Sequence, residues 1–430
     1  MAAKRGRQSS ADSPAPSAAP ADGPPAKKIA ARRTSKTEAS ATTEAEEKKK
    51  PLAARRGGSA PKITNGDVAA LVRTAETLAA LHTKKTEAEV WGDVVPFERA
   101  TTDVDFDAAG MYKFITWNVA GLRGLLKKNA AALSALLEAE RPDVLCLQET
   151  KLNTDEADAN AALGVVDGYV FADHPCAFKR GYSGTRTYVR ASSVMKSSQV
   201  RWTRGFAVPT APDTEVAAAA ADAPLLVEGP GDEEGRVLTT FITSGAAAAS
   251  ATPASRIAVV NTYVANSGMG LSRLPYRIQA FDPSMREYLQ KVDAWATATA
   301  DKSGGSDPQP FGFVWAGDMN VAERDYDRYY AGTFKSMQEC SGFAPEERES
   351  FRDTMRQTRS VDVLRHFYPR AGPVYTFWSQ RINGRPRNVG WRLDYFVVSA
   401  RLVPYVVDCF PMPSVMGSDH CPVQLWMRHP

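Results

Sequence analysis

Residues 311–320 read Phe-Gly-Phe-Val-Trp-Ala-Gly-Asp-Met-Asn, an apolar run that ends in a carboxylate and an amide. An apolar run of this length, closed by a glycine, is typical of a buried strand. Asp318 and Asn320 are two residues apart, and side chains at that spacing lie on the same side of an extended segment. Such a pair is suited to hold a water molecule between an acceptor and an orienting amide. The stretch therefore predicts a buried strand that delivers reactive groups at its end.

Other apolar runs of the chain also end in polar groups. We predict strands near 111–119, 144–148, 236–243, 257–264, 393–399 and 423–427, and helices near 128–140 and 275–298. Strands that alternate with helices, with polar groups gathered at the strand ends, indicate an α/β fold. In such folds the ligand site lies in the crevice at the edge of the sheet.

The groups at these strand ends fit the hydrolysis of a phosphodiester. Glu149 follows a wholly apolar strand, where a carboxylate is costly to bury without a cation. Oxygen ligands without a Cys/His cluster indicate Mg²⁺ or Mn²⁺ rather than zinc. His420 could act as a base or as a phosphate-binding imidazolium, with Asp394 fixing its tautomer. Tyr263 could donate a hydrogen bond to the developing phosphorane oxygen.

Each of these groups also has a structural explanation. Glu149 could pair only with Lys151 or Arg123. Asp394 and His420 could form a structural hydrogen-bonded pair, and the Gly-Asp-Met-Asn sequence an ordinary turn. Compatible groups at five strand ends nevertheless favour the chemical interpretation.

The N-terminal part of the chain differs in composition from the rest. Residues 1–62 hold 14 Lys and Arg against 6 Asp and Glu and no aromatic residue. They cannot bury enough apolar area to fold, and we predict a disordered basic tail. Its spaced basic clusters predict localisation to the nucleus, with a mitochondrial presequence or a merely solubilising tail as the alternatives. We predict a linker with an amphipathic helix near 67–82 at 63–108, and the catalytic domain at 109–430 with a surface insertion at 211–255.

Composition excludes several classes of protein. No apolar stretch approaches the roughly 20 residues that cross a bilayer, so we expect no membrane partner. The five cysteines form no Cys-x-x-Cys pair, and their odd number argues against a disulfide framework. We expect a monomer in a reducing compartment.

Seven segments carry a family resemblance. In order, they are Thr116-Trp117-Asn118-Val119, Leu147-Gln148-Glu149-Thr150-Lys151, Gly181-Tyr182-Ser183-Gly184, Gly317-Asp318-Met319-Asn320, Tyr375-Thr376-Phe377-Trp378, Asn388-Val389-Gly390-Trp391-Arg392-Leu393-Asp394-Tyr395-Phe396 and Gly417-Ser418-Asp419-His420-Cys421-Pro422. The chain resembles the class II apurinic/apyrimidinic (AP) endonucleases of the exonuclease III family, within the exonuclease–endonuclease–phosphatase superfamily. The resemblance spans residues 111–430, and the blocks at 375–378 and 391–396 are its most specific parts.

The resemblance implies a four-layered α/β sandwich, in which two mixed β-sheets pack face to face between outer helices. The site would lie between the sheet edges. The resemblance also implies Mg²⁺-dependent incision of double-stranded DNA on the 5′ side of an abasic site, leaving a 3′-hydroxyl. A 3′-phosphodiesterase or 3′–5′ exonuclease activity could accompany it, and Mn²⁺ is the alternative ion.

Carried over by position, the resemblance implies four groups of site residues. The metal ligands would be Glu149, Asn118, Asp318, Asn320 and Asp419. The catalytic residues would be Tyr263, Asp318, Asn320, Asp394 and His420, with Asp318 activating the water. The abasic pocket would be Phe377, Trp391 and Leu393, and a small pocket suffices because an abasic nucleotide has no base to unstack. The DNA contacts would be Arg123, Tyr182, Asn266, Met269 and Arg381.

Several positions depart from the family pattern. Ala120 stands where many relatives have a carboxylate or an amide near the metal. Met269 and Arg381 stand where the vertebrate enzyme has Arg and Met, so the apolar wedge and the cationic contact are exchanged. Residues 184–187 replace a more Gly-rich segment.

Two alternatives to the AP endonuclease remain open at this point. A phosphatase of the same superfamily that acts on a lipid or inositol phosphate predicts basic residues around the pocket. A catalytically degenerate DNA-binding protein is favoured only by Ala120.

Overall fold

The computed structural model describes residues 82–99, 110–195, 198–209, 225–244, 255–298 and 311–429. The predicted tail at 1–62 and nearly all of the helix predicted near 67–82 lie outside these ranges. Two parts of the predicted insertion at 211–255 also lie outside them. Within these ranges no helix is long and apolar enough to cross a bilayer.

The described residues form thirteen strands in two sheets. The strands are β1 (Met111–Asn118), β2 (Val144–Gln148), β3 (Tyr169–His174), β4 (Thr185–Arg190), β5 (Ser198–Arg204), β6 (Leu225–Glu228), β7 (Val237–Ser244), β8 (Ser255–Tyr263), β9 (Phe311–Asp318), β10 (Ser360–Asp362), β11 (Asp394–Ser399), β12 (Val406–Pro411) and β13 (Val423–Arg428). One sheet has six strands in the order β12-β13-β1-β2-β4-β3, and the other has seven in the order β10-β11-β9-β8-β7-β5-β6. Both sheets are mixed. In the six-stranded sheet β1 is parallel to β2 and antiparallel to β13, and in the seven-stranded sheet β8 is parallel to β9 and antiparallel to β7.

Helices connect many of the strands. They are α1 (Glu87–Trp91), α2 (Leu122–Lys128), α3 (Ala132–Glu140), α4 (Ala157–Ala162), α5 (Leu274–Tyr276), α6 (Asp282–Thr297), α7 (Phe334–Gln338), α8 (Pro345–Gln357) and α9 (Val363–Phe367). A π-helical turn, Arg277–Phe281, joins α5 to α6.

The two sheets face each other across a shared layer of apolar side chains. Alternation along each strand decides which residues enter this layer. Tyr112 and Phe114 of β1 belong to it, together with Val314 of β9. Ile115 and Trp117, which alternate with them on β1, pack instead against α2 and α3 on the opposite face.

Helices cover the outer face of each sheet. On the seven-stranded sheet, Trp315 of β9 packs with Leu289 of α6 and Phe351 of α8. The layers therefore follow the order helix, sheet, sheet, helix, and the predicted four-layered α/β sandwich is confirmed.

The predicted strands are present close to their expected ends, and the helix predicted near 128–140 begins a few residues later than expected. α3 begins only at Ala132, because Asn129 adopts an extended conformation (φ −146°, ψ 97°) that ends α2 at Lys128. The helix predicted near 275–298 contains the π-turn. Sequence patterns did not reveal the strands β3, β4, β5, β6, β10 and β12.

Candidate active site

The last inward-facing residue of several strands is polar. Asn118 and Asp318 continue the inward-facing series of β1 and β9, so both point between the sheets. Asp318 pairs with Tyr263 of β8 on one side and with Asp394 of β11 on the other. All four side chains are buried. The alternation of side chains along each strand and the register between strands thus bring four predicted site residues together.

Asn118 connects the two sheets at this point. Its Nδ2 donates to Glu149 Oε1 at 3.0 Å and to Asp318 Oδ2 at 2.9 Å. Its Oδ1 accepts from the backbone N–H of Ala120 at 2.9 Å, which keeps the nitrogen turned toward the carboxylates. One amide therefore holds two carboxylates side by side, one from each sheet.

Several residues at these carboxylates have a left-handed backbone, among them Ala120, Glu149 and Asn320. Their φ angles are +51° at Ala120, +51° at Glu149 and +47° at Asn320. Such angles are uncommon outside glycine, and strain of this kind gathers at functional sites. The N–H of Asn320 donates to Asp318 Oδ1 at 2.8 Å, which fixes both the turn and the carboxylate.

Glu149 is held in its ionised form. Burial acts to raise the pKa of this carboxyl, but Lys151, Asn118 and His420 outweigh it and lower the pKa. Lys151 Nζ lies 3.0 Å from Glu149 Oε2 and donates to the backbone oxygen of Ala120 at 3.1 Å. The pairing of Glu149 with Lys151 considered above is therefore present, in addition to the contact with Asn118.

His420 and Asp394 form a buried pair. His420 Nδ1 lies 2.8 Å from Asp394 Oδ2, and Thr376 Oγ1 accepts from the backbone N–H of Asp394 at 3.1 Å. Burial acts to lower the pKa of the His420 ring, but Asp394 outweighs it and raises the pKa to about 10. Both ring nitrogens of this protonated imidazole are donors. Nε2 faces Asp318 Oδ2 at 4.0 Å.

Asp318 lies at the centre of these contacts. Burial raises the pKa of its carboxyl to about 7, although the neighbouring His420 ring acts to lower it. The second carboxylate, Asp394, adds to the rise. A carboxyl group whose pKa lies near neutrality is suited to accept and release a proton.

Asn320 and Asn266 hold each other beside Asp318. Asn320 Nδ2 donates to the backbone oxygen of Val264 at 2.8 Å, and its Oδ1 accepts from Asn266 Nδ2 at 2.8 Å. Asn266 Oδ1 accepts from the N–H of Gly268 at 2.8 Å and from the hydroxyl of Ser341 at 3.0 Å. The side-chain oxygens of both asparagines are thus engaged within the protein, and Asn266 positions Asn320.

Two arginines that sequence reasoning missed adjoin Tyr263 and Tyr182. The guanidinium carbon of Arg236 lies 4.7 Å from the centroid of the Tyr263 ring. The Tyr182 hydroxyl accepts from Arg236 Nη2 at 2.7 Å and from Arg273 Nη1 at 2.6 Å, and Glu234 binds both arginines. Burial raises the pKa of the Tyr263 hydroxyl well above its ordinary value, so this group remains a donor.

The three residues of the predicted pocket belong to one apolar cluster. Phe377 and Trp391 exchange backbone hydrogen bonds of 2.9 Å, and Leu393 packs in the same cluster. The Phe377 ring centroid lies 4.8 Å from that of His420. The guanidinium of Arg328 stacks on the Trp391 ring at 4.1 Å. The cluster therefore borders the reactive groups directly.

Other predicted DNA contacts lie outside the buried cluster. Met269 is 87% exposed between Gly268 and Gly270, whose φ angles are +74° and +62°. Arg381 is exposed in the 3₁₀ turn Gln380–Ile382. Arg123 forms an ion pair with Glu156 and donates to Asn160 Oδ1 at 2.9 Å rather than contacting Glu149.

The donor atoms of the site fit a hard divalent cation. Within the described ranges no three His, Cys, Asp or Glu side chains form a ready-made metal cage. Mg²⁺, however, is usually bound by one or two carboxylates together with water and substrate phosphate. Glu149 is ionised and already attracts an ammonium group. The half-buried Asp419 follows Ser418, whose hydroxyl donates to the backbone oxygen of Asn118 at 2.7 Å.

Comparison with known proteins assigns the chain. The profile of the endonuclease/exonuclease/phosphatase family matches residues 115–420. The chain belongs to this family. It is 35% identical over 314 residues to a DNA-(apurinic or apyrimidinic site) endonuclease of Dictyostelium discoideum, covering 72% of this chain and 69% of that protein. It is 32% identical over 326 residues to the DNA repair nuclease APEX1 of Danio rerio, covering 76% and 85%.

A solved structure extends this likeness. The crystal structure of AP endonuclease LMAP from Leishmania major is 71% identical in sequence, with a TM-score of 0.74, and covers 84% of this chain and 100% of that one. The resemblance to AP endonucleases of the exonuclease III type is therefore confirmed. The roles of the individual site residues stay predictions.

The positions of Arg236 and Arg273 next to the two tyrosines result from contacts between segments that are distant in sequence. β7 and β8 are antiparallel with Val237 opposite Thr262, so Arg236 lies next to Tyr263, and its backbone oxygen accepts from the backbone N–H of Tyr263 at 2.9 Å. If the strands predicted near 236–243 and 257–264 had been paired as a hairpin in this register, Arg236 would have been placed beside Tyr263. Arg273 lies in the loop after β8, where no periodic pattern marks it.

Proposed function

We propose that this chain is a DNA-repair endonuclease, active as a monomer, that hydrolyses the phosphodiester on the 5′ side of an abasic site and leaves a 3′-hydroxyl. The observation that carries the proposal is the contact between the apolar pocket and the reactive cluster, where the Phe377 ring lies 4.8 Å from His420. An abasic sugar has no base to unstack and enters such a pocket at low cost, whereas a normal nucleotide does not. The AP-endonuclease and DNA-repair names of similar proteins support the same substrate.

In this proposal Asp318 accepts the proton of the attacking water. The N–H of Asn320 fixes Oδ1 of this carboxylate, while Oδ2 lies between Asn118 and His420. A water molecule between Oδ2 and the phosphorus would lose its proton to the carboxylate as the new P–O bond forms.

His420 and Tyr263 act on the phosphate oxygens. Asp394 holds the His420 ring through Nδ1, so Nε2 is directed into the cluster. The Tyr263 hydroxyl lies on the strand next to Asp318. Fixed donors contribute most where negative charge grows in the transition state. We therefore assign His420 as a donor to phosphate and not as the base.

We propose Mg²⁺ as the cofactor, with Glu149 as its main ligand, Asp419 and Asn118 beside it, and Mn²⁺ as the alternative ion. When bound, such an ion supplies charge neutralisation to the phosphate and to the departing 3′-oxygen. Asn118 keeps Glu149 and Asp318 oriented toward the same space.

The phosphatase alternative is not favoured. It predicts basic residues around the pocket, whereas Phe377, Trp391 and Leu393 form an apolar cluster. The degenerate-protein alternative conflicts with the complete set of contacts among Asp318, Asp394 and His420.

The test uses 5′-labelled duplex DNA with one tetrahydrofuran abasic analogue, incubated with the protein in Mg²⁺ or in EDTA. We expect one product, cut 5′ to the analogue, that a DNA polymerase can extend, and only in the presence of Mg²⁺. Cleavage in EDTA, or ends typical of β-elimination on a parallel duplex that carries a natural abasic site, would overturn metal-dependent hydrolysis. An inositol phosphate serves as the competing substrate, and its preferred hydrolysis would support the phosphatase. Phe377→Ala with Trp391→Ala should weaken discrimination against an undamaged duplex.

A further inference from the structure

A buried ion pair lies directly behind the Asp318–Asn320 turn. Arg277 begins the π-helical turn before α6, and it is only 2% exposed. Its Nη1 donates to the backbone oxygen of Asn320 at 2.7 Å, and its Nη2 to that of Met319 at 2.9 Å. Glu347, fully buried in the first turn of α8, accepts from Nη1 at 3.2 Å.

Glu347 joins the ion pair to two further loops. Its Oε1 accepts from the hydroxyl of Ser267, in the loop after β8. Its Oε2 accepts from the backbone N–H groups of Gly342 at 2.7 Å and Ala344 at 3.0 Å, just before α8. One carboxylate thus connects three segments that border the site.

Each connected segment contacts a predicted site residue. Ser267 follows Asn266, whose amide donates to Asn320. A Cβ atom built on Gly342 would lie 3.3 Å from the Trp391 ring and 3.5 Å from the backbone oxygen of Asn320, so this loop packs tightly between the two. The network therefore supports the proton acceptor and the pocket wall together.

Stability alone does not account for this arrangement. A buried ion pair adds little net stability, because its desolvation offsets its attraction. A left-handed asparagine, in contrast, persists only where its surroundings hold it. The planar fork of Arg277 binds two successive carbonyl oxygens of that turn, which a single donor cannot do. π-Turns are also frequent at functional sites.

We propose that Arg277 and Glu347 are positioning residues that hold the Asp318–Asn320 turn in its reactive geometry, an inference that rests on the proposed function above. Neither side chain touches substrate in this scheme. They act through Asn320 and Met319, and a displacement of about 1 Å in such a turn costs about a hundredfold in rate.

The test is Arg277→Lys, which keeps the charge opposite Glu347 but loses the fork. We expect kcat for incision to fall about 10- to 100-fold with KM changed less than about threefold. Amide hydrogen exchange in residues 317–322, measured without DNA, should become about tenfold faster because the turn opens more often. The control is Arg190→Lys, which alters a half-buried arginine 2.7 Å from Asp143, at the end of its sheet that lies away from the site. This control should leave kcat and exchange at 317–322 unchanged.

A folded Arg277→Lys variant with wild-type kcat, or with a change in KM alone, would overturn the proposal. If that variant does not fold, Ser267→Ala removes only one hydrogen bond to Glu347. A kcat lowered about threefold or more in Ser267→Ala supports the proposal, and an unchanged kcat overturns it. Absence of incision by the wild type would refute the proposed function instead, and the exchange rates would still decide the role of Arg277.

Discussion

Lys151 lies where a divalent cation would approach Glu149. Its Nζ is 3.0 Å from Glu149 Oε2, and its other acceptor is the backbone oxygen of Ala120. Because residue 120 is alanine, Lys151 finds no side-chain carboxylate there. The attraction between Lys151 and Glu149 must therefore be given up when an ion binds to that oxygen.

We expect Lys151→Met to bind Mn²⁺ about two- to fivefold more tightly than the wild type, since a partly exposed ion pair contributes up to about 1 kcal/mol. Electron paramagnetic resonance of free Mn²⁺, without DNA, measures this affinity independently of activity. Lys128→Met, exposed at the end of α2, controls for the change in net charge. Unchanged or weaker affinity in Lys151→Met would show that the lysine and the ion do not share Glu149.

Asp318→Asn tests the proton acceptor. The amide is similar in size but is a much weaker base, so the single-turnover rate of incision should fall at least about a hundredfold. Quenched-flow assays on the tetrahydrofuran duplex measure the rate. Asp155→Asn, at an exposed ion pair with Arg180, should have no effect. A near-normal rate for Asp318→Asn would remove this residue from the mechanism.

At the scale of elements, the sequence predicted where strands begin and end better than it predicted their order within each sheet. Periodicity indicated that Asp318 ends a buried strand. Its neighbours Tyr263 and Asp394 follow from the order β11-β9-β8, which no local pattern encodes. β10 has three residues and one of them is charged. Such a short segment shows too little alternation of apolar and polar residues to be recognised as a strand. Arg277 was missed because the π-turn changes the helical periodicity there.

A second buried network holds the segment that bears the pocket. Asp327 accepts from Arg392 Nε and Nη2, each at 2.9 Å, and also pairs with Arg365. Arg392 lies between Trp391 and Leu393, so its anchoring fixes both pocket residues. Burial acts to raise the pKa of the Asp327 carboxyl, but Arg365 and Arg392 outweigh it and lower the pKa.

Asp327→Asn should lower the free energy of unfolding by about 3–5 kcal/mol, because two buried guanidinium groups lose the anion that they share and Arg392 keeps only Asp362. Urea denaturation at pH 7 measures this loss. The folded pKa of Asp327 lies below the unfolded value of about 3.9, so its contribution is present above that pH and is lost as the pH falls toward the folded pKa. The difference between wild type and variant should therefore shrink below about pH 4. Glu287→Gln, at an exposed pair with Lys291, should cost less than about 1 kcal/mol.

At the scale of the whole molecule, the charges of the chain are unevenly distributed. Residues 1–62 carry a net charge of +8, whereas residues 63–430 hold 39 basic and 43 acidic groups. Near the site, Arg236 and Arg273 share the carboxylate of Glu234. The overall charge of residues 63–430 therefore gives no long-range attraction to a polyanion. The basic segment can supply attraction that does not depend on sequence or damage.

Removal of residues 1–62 should leave kcat at an abasic site unchanged but weaken binding to an undamaged duplex. Each phosphate that the segment neutralises adds about 0.9 to the slope of log K against log salt, so the slope should become shallower by several units. Fluorescence anisotropy at several salt concentrations measures it. A variant with the same composition in shuffled order should keep the wild-type slope, because that attraction depends on charge alone. We propose that the ordered basic clusters also direct the protein to the nucleus, so a fluorescent fusion of the shuffled variant should lose nuclear accumulation. An unchanged slope after truncation would show that the DNA affinity resides in the catalytic domain.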